Sequence, residues 1–206
     1  MTDKPNILIL MSDEHARRVM GAYGDPVVQP PNLDRLASDS IVFKAAYSPS
    51  PICVPARAAL ATGRDIHEIG CWDNAHPYTG TPRSWAHELS DAGYRVESVG
   101  KLHFRRETDD TGFDRQTLPM HVVDGIGDLS GSIRTPPPLR PGSRKLAEAL
   151  GPGETSYTRY DRAVRDAAIA RLEQADAAGE QGLVLFVPFV APHFPLIAPQ
   201  ALFDLS

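Results

Sequence analysis

Apolar positions gather in short continuous runs, separated by longer stretches with helical spacing. Asn6–Met11 (NILILM) and Leu183–Val190 (LVLFVPFV) read as strands buried on both faces rather than half-exposed ones. Pro188 predicts a bulge or an edge in the second run, because a proline cannot donate to a sheet ladder. Tyr94–Val99 is a third strand, and Ile41–Ala46 a further candidate. One helix is expected from Pro31-Asn32 to about Ser40, with Leu33, Leu36 and Ala37 on one face. Another covers Arg57–Thr62, with Pro55 in its first turn and Gly63 as its stop. A third spans roughly Ser84–Ala92, between Pro82 and Gly93. The longest is Tyr160–Ala178, where Val164, Ala168 and Leu172 recur at four-residue steps and Gly179 closes the pattern. Within it Asp161 is spaced to pair with Arg165. The proline- and glycine-rich segment Gly125–Gly142 reads as an exposed loop over one end of the sheet, not as a domain linker.

Strands alternating with helices predict an α/β fold: a mainly parallel sheet with helices on both faces. Such sheets bind ligands at the carboxyl ends of their strands. Three expected strands end in polar groups: Asp13-Glu14-His15, then Lys101 and His103, then His193. Short connections would bring the last two clusters to one crevice.

Composition narrows the picture modestly. A chain of 206 residues suits one α/β domain. With 42% hydrophobic and 23% charged residues it is neither collagen-like, disordered nor membrane-embedded. A formal net charge of -5 offers no basic face to nucleic acid or anionic lipid, though local cations would still suit a small anionic substrate. The run Ile7–Met11 is too short for a signal peptide and nothing approaches transmembrane length, so a cytoplasmic chain is expected. Cys53 and Cys71 are too few for a disulfide framework, which agrees, while a single bridge between them stays open.

The candidate chemistry centres on Cys53-Val54-Pro55-Ala56-Arg57. A cysteine at the mouth of a helix meets unpaired N–H groups and a dipole that favour an anion. Arg57, one turn on, would face it, which makes a candidate nucleophile beside an anion-binding cation. A buried cysteine next to a surface helix is the plainer alternative.

The run CVPARAALATGR, Cys53 to Arg64, resembles the C-x-P-x-R signature and trailing T-G-R of the sulfatase family, in the alkaline-phosphatase superfamily. NILILMSDEH resembles that family's first strand and metal-binding turn, and PNLDRLASDSIVFKAAYSPSPIC the stretch joining the two. Gly100-Lys101-Leu102-His103 is similar to its G-K-x-H element, and Ala191-Pro192-His193 to its P-H element. Several ordered motifs are far harder to match by chance than one.

The resemblance implies an alkaline-phosphatase-like fold and a sulfuric ester hydrolase acting on a sulfate monoester, aryl or small alkyl such as choline sulfate. It implies that a maturation enzyme oxidises Cys53 to formylglycine, whose hydrated form attacks sulfur and then expels sulfate without an attacking water. It implies one divalent ion, calcium by family habit and manganese in some relatives, held by Asp13, modified Cys53 and Glu14. Glu14 stands where many sulfatases carry Asp and some relatives Gln. Arg57 would steady the nucleophile and the metal-ligand carboxylates. Lys101 would bind a sulfate oxygen or aid the leaving group, and His103 would bind and deprotonate the diol. His193 would protonate the leaving alcohol or donate to a sulfate oxygen. Asn74 would donate an amide hydrogen to a substrate oxygen, or else be a turn residue. Trp72, His76 and Tyr78 are candidates to line the leaving-group pocket.

The second acidic pair and the later lysine that complete the family's site have no counterpart in the 206 residues. The chain is therefore expected to be the N-terminal part of one catalytic domain, poorly active alone. The other readings are a phosphonate monoester or phosphodiester hydrolase of the same superfamily, an inactive fragment, and a thiol enzyme using unmodified Cys53.

Overall fold

The computed structural model describes residues 4–28, 30–128, 135–136, 144 and 148–204. In chain order the strands are β1 (Ile7–Met11), β2 (Arg95–Lys101), β3 (Arg115–Met120), β4 (Leu150–Pro152), β5 (Leu183–Pro188) and β6 (Leu196–Ala198). The helices are α1 (Pro31–Ser38), α2 (Cys53–Thr62), α3 (Ile66–Ile69), α4 (Trp85–Asp91), α5 (Ser156–Ala177) and α6 (Gln200–Phe203). Four strands form one parallel sheet in the order β1-β5-β2-β3, and β4 pairs with β6 separately. The expected α/β architecture is therefore present.

Each face of the sheet has its own helices. Ala58 and Ala61 of α2 pack with Phe186, Tyr78, Leu102 and Phe104, and Ala86 of α4 packs with Val96 and Val184. On the other face Val164, Ala168 and Ala175 of α5 meet Val99, Leu183, Leu185 and Val187. The four-residue repeat read from the sequence is this buried stripe of α5, except that Leu172 is partly exposed.

Several expectations fail for identifiable reasons. Ile41–Ala46 is irregular chain, and Ile41 and Phe43 stand well exposed, so apolar composition alone did not make it a strand. Asn6–Met11 is half-exposed: β1 lies at the sheet edge, its Ile7, Ile9 and Met11 facing core while Leu8 and Leu10 are exposed. Pro188 marks neither bulge nor edge. It closes β5, a central strand, where no further ladder bond is needed from it. The bulge lies in the neighbouring β2, between Val99 and Lys101. There Gly100 has φ +125°, and a Cβ would stand 2.3 Å from the Pro188 carbonyl oxygen, so only glycine fits. β3 has no strong periodic signal and went unread. Of the expected loop Gly125–Gly142, residues 129–134 and 137–142 lie outside the described residues. No helix among the described residues is long and apolar enough to cross a membrane.

Candidate active site

The carboxyl ends of β1, β2 and β5 deliver the expected residues to one place. β1 ends at Met11, and Asp13 follows, buried. Its backbone N–H donates to the Ala191 carbonyl at 3.1 Å, tying the end of β1 to the exit of β5. Bulges redirect the side chains that follow them, and beyond Gly100 the buried Lys101 donates through Nζ to Asp13 Oδ2. His103, two residues on, sits at φ 54° with its N–H on the Met120 carbonyl at 2.8 Å.

Helix α2 supplies the remaining groups. It starts at Cys53, as the sequence suggests, but Ile52 at its N-cap has no side-chain oxygen to offer. Asn74, from a distant loop, fills that role: its Oδ1 accepts the Val54 N–H at 3.2 Å and lies 3.8 Å from Cys53 Sγ. With its oxygen on the helix, the Asn74 amide keeps its Nδ2 as a donor. Arg57 is buried, with Nη1 on the Lys101 carbonyl and Nη2 3.6 Å from Asp13 Oδ2. Its Nε and Nη2 have no hydrogen-bond partner, and neither has His103 Nδ1.

Unpartnered buried donors are costly, and their presence calls for a ligand or another reason. Here two cations, Arg57 and Lys101, share the single carboxylate of Asp13. Burial lowers the Arg57 pKa, offset only in part by Asp13 and by Cys53. Burial and the charges of Lys101 and Arg57 push the His103 pKa down to about 2. A neutral, half-buried His103 is an acceptor and not a cation at ordinary pH. The cluster therefore favours an anion placed against Cys53, Arg57 and Lys101.

His193 stands at the rim of this cluster. Its Nδ1 faces the Phe194 carbonyl at 2.7 Å, and its Nε2 lies 3.6 Å from Glu14 Oε1. Glu14, at φ 61° and partly exposed, turns toward His193. Among the described residues no three His, Cys, Asp or Glu side chains converge as a metal site. With Asp13 bound to Lys101 and Glu14 beside His193, these residues do not by themselves fit a divalent ion, which takes six or more oxygen ligands when it is calcium. Trp72 and His76 are well exposed on the Asn74 loop, His76 paired with Asp73 at 2.7 Å. Tyr78 is buried in the core, with its hydroxyl donated to the Pro82 carbonyl at 2.5 Å. Cys53 and Cys71 are both free, so the open disulfide does not form.

The Sulfatase family model matches residues 5–203, nearly the whole chain. The chain belongs to the sulfatase family. It is 32% identical to the choline-sulfatase of Rhizobium meliloti over 99% of this chain and 41% of that protein. It is 36% identical to the N-acetylglucosamine-6-O-sulfatase of Bacteroides thetaiotaomicron over 57% of this chain and 21% of the relative. Among solved structures, one in complex with its substrate D-glucosamine-2-N,6-O-disulfate superposes with a TM-score of 0.65 at 26% identity, covering 92% of this chain and 35% of the other. The phosphonate monoester hydrolase of Agrobacterium radiobacter reaches a TM-score of 0.69 at 21% identity, covering 98% and 44%, which is a likeness of fold. This sulfatase chain thus spans between one fifth and two fifths of the length of these two curated relatives.

Sequence reasoning missed the part played by α5. Asp161 does not pair with Arg165, which bonds Asp166 instead; both Asp161 oxygens accept backbone N–H groups at the exit of β5. Tyr160 of the same helix donates to the Leu118 carbonyl of β3 at 2.6 Å. An acid one helical turn from an arginine gives no signal in one sequence that it is used elsewhere.

Proposed function

We propose that this chain carries the nucleophile side of a sulfatase site, acting on a sulfate monoester of an aryl or small alkyl alcohol, with Cys53 converted to formylglycine by a maturation enzyme. The supporting observation is the buried, incompletely paired Arg57–Lys101–Asp13 cluster beside Cys53 at the start of α2. Formylglycine would supply a hydrated aldehyde, with one hydroxyl to attack sulfur and a second whose deprotonation releases sulfate.

The protein's own groups have distinct tasks in this reading. The free donors of Arg57 and the ammonium of Lys101 hold the anionic group, in a buried setting that strengthens the attraction. Asn74 Nδ2 adds a neutral donor. Neutral His103 accepts a hydrogen bond from the nucleophile side chain, and His193 Nε2 delivers a proton to the departing alcohol oxygen. A divalent ion, calcium or manganese, would need ligands beyond Asp13, Glu14 and Cys53. The choline-sulfatase likeness makes a small cationic alcohol the substrate to try first.

The test is the mass of the tryptic peptide Ala45–Arg57 from protein made in its native source, followed by side-by-side rates on an aryl sulfate and an aryl phosphonate. Formylglycine at position 53 and faster sulfate turnover are expected. An unmodified thiol would remove the reading. Faster phosphonate turnover would move the chain to the monoester-hydrolase branch of the superfamily.

A further inference from the structure

Two successive backbone amides at the exit of β5 are held by one carboxylate. Asp161 Oδ1 accepts the Val190 N–H at 2.8 Å, and Oδ2 accepts the Ala191 N–H at 2.7 Å. What these two residues do with their carbonyls links this contact to the site. The Val190 carbonyl accepts the His193 N–H at 2.9 Å, and the Ala191 carbonyl accepts the Asp13 N–H at 3.1 Å. Asp161 therefore fixes the donor side of a short segment whose acceptor side fixes His193 and Asp13. The same end of α5 touches the site again through Tyr157, whose ring meets that of His193 edge-on at 5.9 Å.

We infer that Asp161 is a positioning residue, setting His193 and the Asp13 turn through the Val190-Ala191 backbone. The inference rests on the proposed role of His193 as proton donor. A carboxylate accepting two N–H groups makes charge-assisted bonds, stronger than neutral ones and directional. Beyond Phe189, whose N–H still donates to the Met11 carbonyl at 2.8 Å, these amides need another partner, and a water or a rotatable hydroxyl would hold them less firmly. A surface role would have been met by Arg165 one turn away, and Asp161 does not take it. Orientation matters because proton transfer requires the donor nitrogen within hydrogen-bond reach of the departing oxygen, and small displacements are expensive in rate.

The experiment uses the full chain with Asp161→Ala, Asp161→Asn and, as a fold control, Arg171→Met, which disturbs α5 far from His193. The first readout is independent of turnover: the NMR resonances of the His193 ring protons. Asp161→Ala should shift and broaden them. Asp161→Asn, which keeps one acceptor oxygen, should stay nearer the parent, and Arg171→Met should leave them in place despite its lower melting temperature. Unchanged His193 resonances in Asp161→Ala, or an equal shift in Arg171→Met, would overturn the inference. The second readout compares an alkyl sulfate with a 4-nitrophenyl sulfate, whose leaving group needs little protonation. Asp161→Ala should lose about tenfold more kcat on the alkyl ester, with KM little changed, and a uniform loss on both would overturn the link to His193. Where the parent cleaves neither ester, the resonance shifts alone decide the positioning, and the sulfatase reading is decided separately by the mass of the Ala45–Arg57 peptide.

Discussion

Two buried arginines sit at opposite ends of the same sheet, and they are treated differently. At the amino end Arg171 forms a two-pronged pair with Glu97, at 2.8 and 3.1 Å, and reaches Glu180 at 2.9 Å. Arg95 adds a further bond to Glu97 at 2.7 Å. Hydrogen bonding to Glu97 leads the causes that raise the Arg171 pKa. Burial would raise that of Glu97, but Arg171 and then Arg95 more than offset it and hold it low. At the carboxyl end Arg57 has one backbone acceptor, a carboxylate at 3.6 Å already bound by Lys101, and two nitrogens without a partner. Its pKa is lowered instead. A buried charge with its bonds satisfied holds the fold in one arrangement. A buried charge left short of partners is held for something that is not part of the chain.

The sharpest way to break this comparison is to remove each arginine in turn. Arg171→Met leaves Glu97 with only the exposed Arg95 and should lower the unfolding free energy by about 1.5–3 kcal/mol, the worth of hydrogen bonds to a charged group, read by urea denaturation. It should leave the affinity for inorganic sulfate unchanged. Arg57→Met removes a cation that is poorly compensated, so its stability cost should be no more than about 1.5 kcal/mol, the worth of one hydrogen bond. Sulfate affinity, read by calorimetry, should fall about tenfold or more, which is about 1.4 kcal/mol of binding. Equal stability losses in the two variants would dissolve the distinction.

Acidity offers a finer test. With its folded pKa near 2 against an ordinary 6.5, His103 stays neutral while the unfolded chain takes up a proton as pH falls. Its contribution is therefore complete above pH 6.5 and is lost progressively as pH drops toward 2. His103→Gln should flatten the acid side of the stability profile by up to about 1.4 kcal/mol per pH unit. A profile parallel to the parent's would mean that His103 titrates freely and is no buried acceptor.

The site carries the other mark of function, local backbone strain. Glu14, His103 and Leu118 occupy the left-handed region with φ of 61°, 54° and 50°; the first two lie just beyond the carboxyl ends of β1 and β2, and Leu118 lies within β3 opposite the Gly100 bulge. Such conformations persist where their surroundings over-determine them. Here Lys101, Arg57 and the Ala191 carbonyl converge on Asp13, while the Met120 carbonyl takes the N–H groups of Leu102 and His103.

What the sequence determined by itself was local and chemical. Continuous apolar runs marked β1 and β5, the four-residue repeat marked α5, and the ordered motifs placed Asp13, Cys53, Arg57, Lys101, His103 and His193 in one site. Those residues announce themselves because strand ends and a helix mouth are short-range features, readable from spacing. Tertiary structure alone decided how each polar side chain is spent. It turned Asp161 away from Arg165 and onto the β5 exit, made Asn74 the cap of α2, placed the bulge at Gly100 instead of Pro188, and left Leu8 and Leu10 exposed at an edge. Each of these depends on a partner remote in the chain, and hydrogen bonds and burial follow distance in space rather than separation in sequence.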